Sequence, residues 1–270
     1  MTTGLSARLQ ASMRHMATAR YETVSVAPFT AYLHPSDPLI YFNYAIPDGP
    51  LTGDVREPLR RLRAVFEARG RAPRFEYVSE LAPELAQALL DTGFRQEAEA
   101  RLMICTPERF TPIEPPEGVE LSVLTRDSAR EEFRVYCRIA RMGFVPHEVY
   151  TPSEEEISKT MEDLGEGVAV LGRVEGQPAA VGLFSPPSLG VSELAGVATL
   201  EDFRKRGLGT AITSRVAREA FSRGVDMLFL STLSPEAGRI YERVGFRFLT
   251  PMLFFVDAAL PEGAMSPSPG

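Results

Sequence analysis

Twice in this chain an apolar, strand-like run leads into a helix-like segment near a proline, then into Gly-Phe-Arg, then into a second apolar run. The later copy reads VDMLFLS, PEAGRIYERV, GFRF and PMLFFVDA; the earlier reads PRFEYVS, PELAQALLDT, GFRQ and ARLMICTP. Proline suits a helix start because the first N–H groups have no intrahelical partner to lose, and glycine suits the residue after a helix end. Upstream, IYFNYAIP before VREPLRRLRAVFEARG echoes SELAGVAT before GLGTAITSRVAREAFSRG. An echo of this length is too long for a solenoid repeat and points to a duplicated domain. Any α/β chain yields some echoes, but Gly-Phe-Arg in matching contexts favours duplication.

At 270 residues the chain can hold one large domain or two small ones, and with 44% hydrophobic residues either could bury a core. The stretch CTPERFTPIEPPEGVELSVLT is dense in proline, which interrupts helix and sheet alike. It places a linker at residues 107–117, between a domain 1–106 and a domain 118–258. The terminal LPEGAMSPSPG, within 259–270, reads as a disordered tail. A net charge of −7 speaks against nucleic acid as a partner. Cys105 and Cys137 match no metal or redox spacing, so neither a metal site nor a disulfide scaffold is expected. The longest apolar runs fall short of a membrane span, and MTTGLSARLQASMRHMATARYE lacks a signal core and suits an amphipathic helix. The expectation is a cytoplasmic protein with no membrane partner.

In the second domain VELSVLT reads as a strand and DSAREEFRVYCRIARMGF as a helix, with Asp127 or Ser128 as its cap. SEEEISKTMEDL is a second helix, opened by Ser153 with Glu156 three residues later. GVAVLGRVEGQPAAVGLFSPPSLGVSELAGVAT divides into three strands, the first two joined by a turn at Glu175-Gly176-Gln177-Pro178. The order is β-α-α-β-β-β-α-β-α-β.

The stretch GVATLEDFRKRGLGTAITSRVAREAF, from Gly196 to Phe221, joins the third of these strands to a long helix. Its junction carries Arg204, Lys205, Arg206, Gly207, Leu208, Gly209 and Thr210. The first N–H groups of a helix lack intrahelical acceptors and form an anion site. Glycines remove the Cβ atoms that would hold a phosphate away, and arginines add fork donors. The segment is not a P-loop, since no Gly-Lys-Ser/Thr follows, and Ile212 stands where a dinucleotide fingerprint needs glycine.

Arg204-x-x-Gly207-x-Gly209, after a strand and opening a helix, resembles the acetyl-CoA motif of the Gcn5-related N-acetyltransferases (GNAT). Downstream, Ser234, Ala237, Tyr241, Gly245 and Phe246 resemble that family's Asn-x-x-Ala-x-x-x-Tyr-x-x-x-Gly-Phe element, with Ser234 in place of Asn. The resemblance covers about residues 118–258, and the element order above is also the family's. It implies an α/β (α+β) GNAT fold, a mixed, mostly antiparallel central sheet flanked by helices. A partial second copy would lie N-terminal to it, without the phosphate loop.

The resemblance further implies an N-acetyltransferase that moves an acetyl group from acetyl-CoA to a primary amine by direct attack on the thioester. Backbone groups of Val197, Ala198 and Thr199 would meet the pantetheine arm. Residues 204–210 would hold the pyrophosphate, and Ser234 would belong to the cofactor site. Tyr241 would protonate the departing thiolate. Glu193 is the candidate base: two strand pairs before Val197, it should share that residue's face. His147 is its rival, in the loop where Phe144, His147 and Tyr150 would line an acceptor cleft. The acceptor would be a small-molecule or peptide amine, and a homodimer is compatible with this reading. The reading from another class is a non-catalytic acyl-CoA sensor, and a third is a scaffold with a vestigial loop; retained Tyr241 and Glu193 count against the sensor.

Overall fold

In the computed structural model, residues 2–145 and 149–259 are described. Two compact units are present. One runs up to Leu102 and takes in the chain again from Leu249; the other is Met103–Phe248. Sequential domains of 1–106 and 118–258 do not coincide with these units, because the last strand pairs within the first.

The first unit opens with helix α1 (Thr2–Arg20), followed by β1 (Glu22–Val26), β2 (Phe29–Leu33), β3 (Asn43–Pro47), α2 (Arg56–Glu67), β4 (Arg74–Val78), α3 (Leu85–Asp91) and β5 (Phe94–Cys105). β1, β2 and β3 pair antiparallel in succession, and β3 pairs with β4 in parallel at Ala45↔Phe75. The next neighbour of β4 is β11 (Arg247–Asp257), antiparallel, with Leu253↔Tyr77 and Phe255↔Phe75 in register. α2 sets Leu59, Leu62 and Phe66 on one face at helical spacing. All three are fully buried with Phe29, Phe75 and Phe94, whose rings meet edge to face.

The second unit contains β6 (Val119–Leu124), α4 (Arg130–Phe144), α5 (Glu154–Leu164), β7 (Val168–Val174), β8 (Gln177–Phe184), β9 (Val191–Thr199), α6 (Leu208–Ser222), β10 (Met227–Thr232), α7 (Pro235–Val244) and the start of β11. This is the order expected from the sequence. The sheet runs β6-β7-β8-β9-β10, antiparallel except for β9 with β10. Helices cover both faces. Val168, Val170, Ala180 and Phe184 meet α6 through Leu208, Ile212 and Val216, while Ala169, Leu171 and Val181 meet Phe133 and Tyr136 of α4 and Ile157 of α5. Because successive residues of a strand face opposite ways, two covered faces turn each strand into a continuous apolar run.

Local expectations met two differences. α4 is capped by Ala129, without a side-chain bond, because the Ser128 hydroxyl instead accepts the Thr125 N–H at 3.0 Å. Ser153 does cap α5, accepting the Glu156 N–H at 3.1 Å, but the Glu156 carboxylate reaches to Tyr150 instead of back to the cap. The proline-rich segment before β6 has no helix or strand and is held on the second unit. Thr111 N–H donates to Val244 O at 2.9 Å, and Ile113 N–H donates to Ser214 Oγ at 2.8 Å.

Candidate active site

The site is built around an interruption in β9. On the β8 side, Val181↔Ala198 is followed by Leu183↔Ala195, so three steps of β9 oppose two of β8. Gly196 and Val197 form the bulge, and Gly196 adopts φ +62, a left-handed conformation that glycine enters without strain. On the other side, the parallel ladder runs Met227↔Val191, Leu228↔Ser192 and Phe229↔Glu193. Among the described residues it stops there, although β9 continues to Thr199 and β10 to Thr232. Among the described residues, Gly196 and Val197 thus have no register partner in either neighbouring strand, and the regular ladder is interrupted there.

The bulge also changes which residues share a face. Glu193 lies with Ala195 and Ala198 on the α4–α5 side, whereas Val197 packs on the α6 side, against Gly182 and the core around Ile212. The expected common face for Glu193 and Val197 is therefore not found, because one inserted residue reverses the alternation. Glu193 is half-buried, and its N–H donates to Ser185 Oγ at 3.1 Å.

Beyond Thr199 a short turn, Glu201–Phe203, leads into the basic loop. Lys205 and Gly207 take φ +62 and +80, and Gly207 is the N-cap of α6. Among the described residues no backbone acceptor is found for the N–H groups of Lys205, Arg206 or Gly207, and those of Leu208, Gly209 and Thr210 belong to a first helical turn. Left-handed residues within such a loop turn successive N–H groups into an anion-binding concavity. Gly209 also lets α7 approach, since a Cβ there would lie 3.4 Å from Ile240 Cδ1. The loop is exposed, and its residues fit a pyrophosphate in charge, donor direction and space.

Arg204 differs from the expected phosphate fork. Its Nε donates to Thr199 O at 3.2 Å and its Nη2 to Gly143 O at 2.9 Å, tying the loop to the end of β9 and the last turn of α4. Arg206 lies over the Phe203 ring at 5.3 Å. Sequence reasoning missed Gly143, where a Cβ would stand 2.7 Å from Ala198 Cβ and 3.3 Å from Thr199 N. It also missed Tyr136, a buried residue whose hydroxyl lies 3.7 Å from the Cβ position of Gly196. A glycine within an amphipathic helix was the one signal for Gly143; Tyr136 has the sequence pattern of ordinary core.

On α7, Ser234 is the cap: its Oγ accepts the Ala237 N–H at 3.2 Å, the bond an asparagine would make there. Tyr241 packs edge to face on Phe246, and burial raises its phenol above the ordinary value. Phe144 is partly exposed at the end of α4. Tyr150 donates to the Glu156 carboxylate, a bond that pushes its phenol up to about 12, and Arg141 stands 5.7 Å from its ring. His147 lies outside the described residues. Among the described residues, no group of three or more His, Cys, Asp or Glu side chains could hold a metal ion, and no helix is long and apolar enough to cross a membrane.

The mixed, mostly antiparallel sheet flanked by helices, with a bulged β9 and a glycine loop opening α6, is consistent with the GNAT fold. Residues 128–246, all inside the second unit, match the Acetyltransferase (GNAT) family, and the chain contains a GNAT-fold acetyltransferase domain. Among solved structures it is similar to a GCN5-related N-acetyltransferase from Kribbella flavida, with 26% identity over 93% of this chain and 95% of that one and a TM-score of 0.79. A GCN5-related N-acetyltransferase from Sphaerobacter thermophilus shares the fold, with 13% identity, coverage of 85% and 76%, and a TM-score of 0.63. So does a tandem GNAT protein from the clavulanic acid biosynthesis pathway, with 12% identity, coverage of 87% and 79%, and a TM-score of 0.62. No curated protein matches the sequence.

Proposed function

We propose that the second unit is an N-acetyltransferase that moves the acetyl group of acetyl-CoA to a primary amine in one step. The observation that carries this reading is the coincidence of unpaired backbone at Gly196–Val197 with the unclaimed N–H groups before and within the first turn of α6. Acetyl-CoA supplies an activated thioester carbonyl. In this reading the backbone of Val197, Ala198 and Thr199 orients the arm that bears it, and an N–H at the bulge polarises the carbonyl. The backbone from Arg206 to Thr210 receives the pyrophosphate, with charge from Lys205 and Arg206, while Arg204 fixes the loop's start.

The acceptor approaches from the α4–α5 side of β9, where Glu193 lies, and Phe144 and Tyr150 would contribute to its cleft. Glu193, directly or through water, takes the ammonium proton. The N–C bond forms as the C–S bond breaks; Tyr241, its phenol raised by burial, gives its proton to the thiolate, and the surplus proton on the new amide nitrogen leaves through water, which returns a proton to Tyr241. The acceptor class is a small-molecule or peptide amine. Two buried free cysteines suit a reducing, cytoplasmic setting.

The first unit is, in this proposal, a degenerate second copy of the same fold. Its β1-β2-β3-β4 series, antiparallel until a parallel last pair, repeats the pattern of β7-β8-β9-β10. Similarity to a tandem GNAT protein over 87% of the chain supports it.

The test is calorimetric titration with acetyl-CoA beside thiol release across a panel of amines. One bound acetyl-CoA, and thiol release with one amine class, is the expected result. Gly209→Glu should abolish both by placing a carboxylate in the pyrophosphate site, and unchanged binding in that variant would overturn the assignment. Binding without turnover on any amine would favour the acyl-CoA sensor.

A further inference from the structure

In the first unit, the parallel strands β3 and β4 have one register pair, Ala45↔Phe75, and among the described residues no pairing beyond it. Toward Pro47 and Val78 the backbone of both strands would be left open, as it is between β9 and β10. Here the gap is filled from within. Gln10 of α1, almost wholly buried, spans the two strands: its Nε2 donates to Pro47 O at 3.4 Å, and its Oε1 accepts the Val78 N–H at 3.3 Å. One turn later Arg14 donates to the same Pro47 O at 3.2 Å and to Thr30 Oγ1 at 3.2 Å, and pairs with Asp48 at 2.8 Å.

A carboxamide is one donor and one acceptor at fixed separation. Those are the groups an amide-bearing arm would present to two diverging strands, so Gln10 satisfies the same backbone without a ligand. The helix start after β3 also has an acceptor from the chain itself. At the start of α2 the Arg56 N–H donates to Asp54 Oδ1 at 3.0 Å, so a carboxylate of the chain sits where an anion would be received. Among the described residues, Ser6 Oγ, one turn before Gln10, Tyr77 Oη on β4 and Glu80 Oε1 on the turn that follows it are buried without a hydrogen-bond partner.

We infer that Gln10 is a built-in plug: its carboxamide occupies the strand gap of the first unit, so that this unit takes no acyl-CoA and each chain binds one. The inference rests on the duplicated-fold reading above, and it gives α1 a role that packing alone does not. The remaining slot has the chemistry of a primary or secondary amide.

The experiment uses the full chain and propionamide as probe. Gln10→Ala should melt lower than the wild type, and propionamide should restore several degrees in a dose-dependent way while leaving the wild type unshifted. Gln10→Leu, which fills the space without either hydrogen bond, should melt lower and show no rescue. Amide exchange read at Val78 in the wild type should be slow, and faster in Gln10→Leu, which gives a readout should Gln10→Ala fail to fold. Acetyl-CoA stoichiometry should be one in the wild type and zero in Gly209→Glu. A second acetyl-CoA in the wild type would overturn the plug, as would equal propionamide response in wild type and Gln10→Ala. Absence of any acetyl-CoA binding would instead sink the acetyltransferase reading, with the propionamide arm still deciding the plug.

Discussion

Gly143→Ala is the substitution whose outcome depends most directly on how α4 seats on β9. The new methyl would lie 2.7 Å from Ala198 Cβ and 3.3 Å from Thr199 N. Carbon atoms in contact prefer about 3.5–4.0 Å, so the helix end would have to lift by about 1 Å. Overpacking of this kind costs about 1–3 kcal/mol, while replacing a helical glycine by alanine returns about 1 kcal/mol of helix propensity. The clash wins by about 1 kcal/mol, which lowers the melting temperature by about 2–4 °C in a domain of this size. Lifting α4 would also draw Gly143 O away from Arg204 Nη2, now at 2.9 Å, and disturb the loop that Arg204 holds. Acetyl-CoA affinity should fall with stability, both read on one preparation by melting and calorimetry. Ala198→Gly removes the opposing methyl and should be mildly destabilising alone, yet should recover much of the loss when combined with Gly143→Ala. Strict additivity in that cycle, or a more stable Gly143→Ala, would refute the reasoning.

Tyr241→Phe should lower kcat about 100-fold with acetyl-CoA affinity kept, measured by thiol release. Burial raises the Tyr241 phenol, so its neutral form is the one the fold favours; the stability this confers is present below the ordinary tyrosine value and is lost as pH rises through the raised one. The wild-type rate should accordingly show no loss from Tyr241 ionisation up to about pH 10, checked in the pH–rate profile. Ser234→Ala should cost about 1 kcal/mol through the lost cap on Ala237 N–H, and Ser234→Asn should keep the wild-type melting temperature. Arg204→Met should weaken acetyl-CoA binding and speed amide exchange in the last turn of α4 without ligand. A loss of affinity with α4 exchange unmoved would make Arg204 a phosphate contact and not a tie.

The sequence carried the element order of the second unit, the Ser153 cap and the position of the glycine loop at a helix start, because each depends on residues close together in the chain; Ser234, expected in the cofactor site, caps α7. What it could not carry depends on register. The bulge at Gly196 reversed the face assigned to Glu193, and alternation counted along one strand has no way to register an inserted residue. The guanidinium of Arg204 resembled a phosphate fork because its acceptors, Thr199 O and Gly143 O, are backbone atoms that any residue would supply. Tyr136 and Gln10 drew no reading from the sequence, because the strands they face lie far from them in the chain.

β11 gives the chain a particular order of assembly. Met252–Val256 pair with β4, and Phe255 fills the core beside Tyr77 and Phe75, so the first unit holds a strand that leaves the ribosome only after the second unit has been made. Until then Phe75 and Tyr77 lie beside an open strand edge, the kind of surface that invites wrong pairing. A truncation that stops before Leu249 would leave the N-terminal unit, not the C-terminal one, without a strand. During synthesis, of these two units the one begun earlier is the one that must wait.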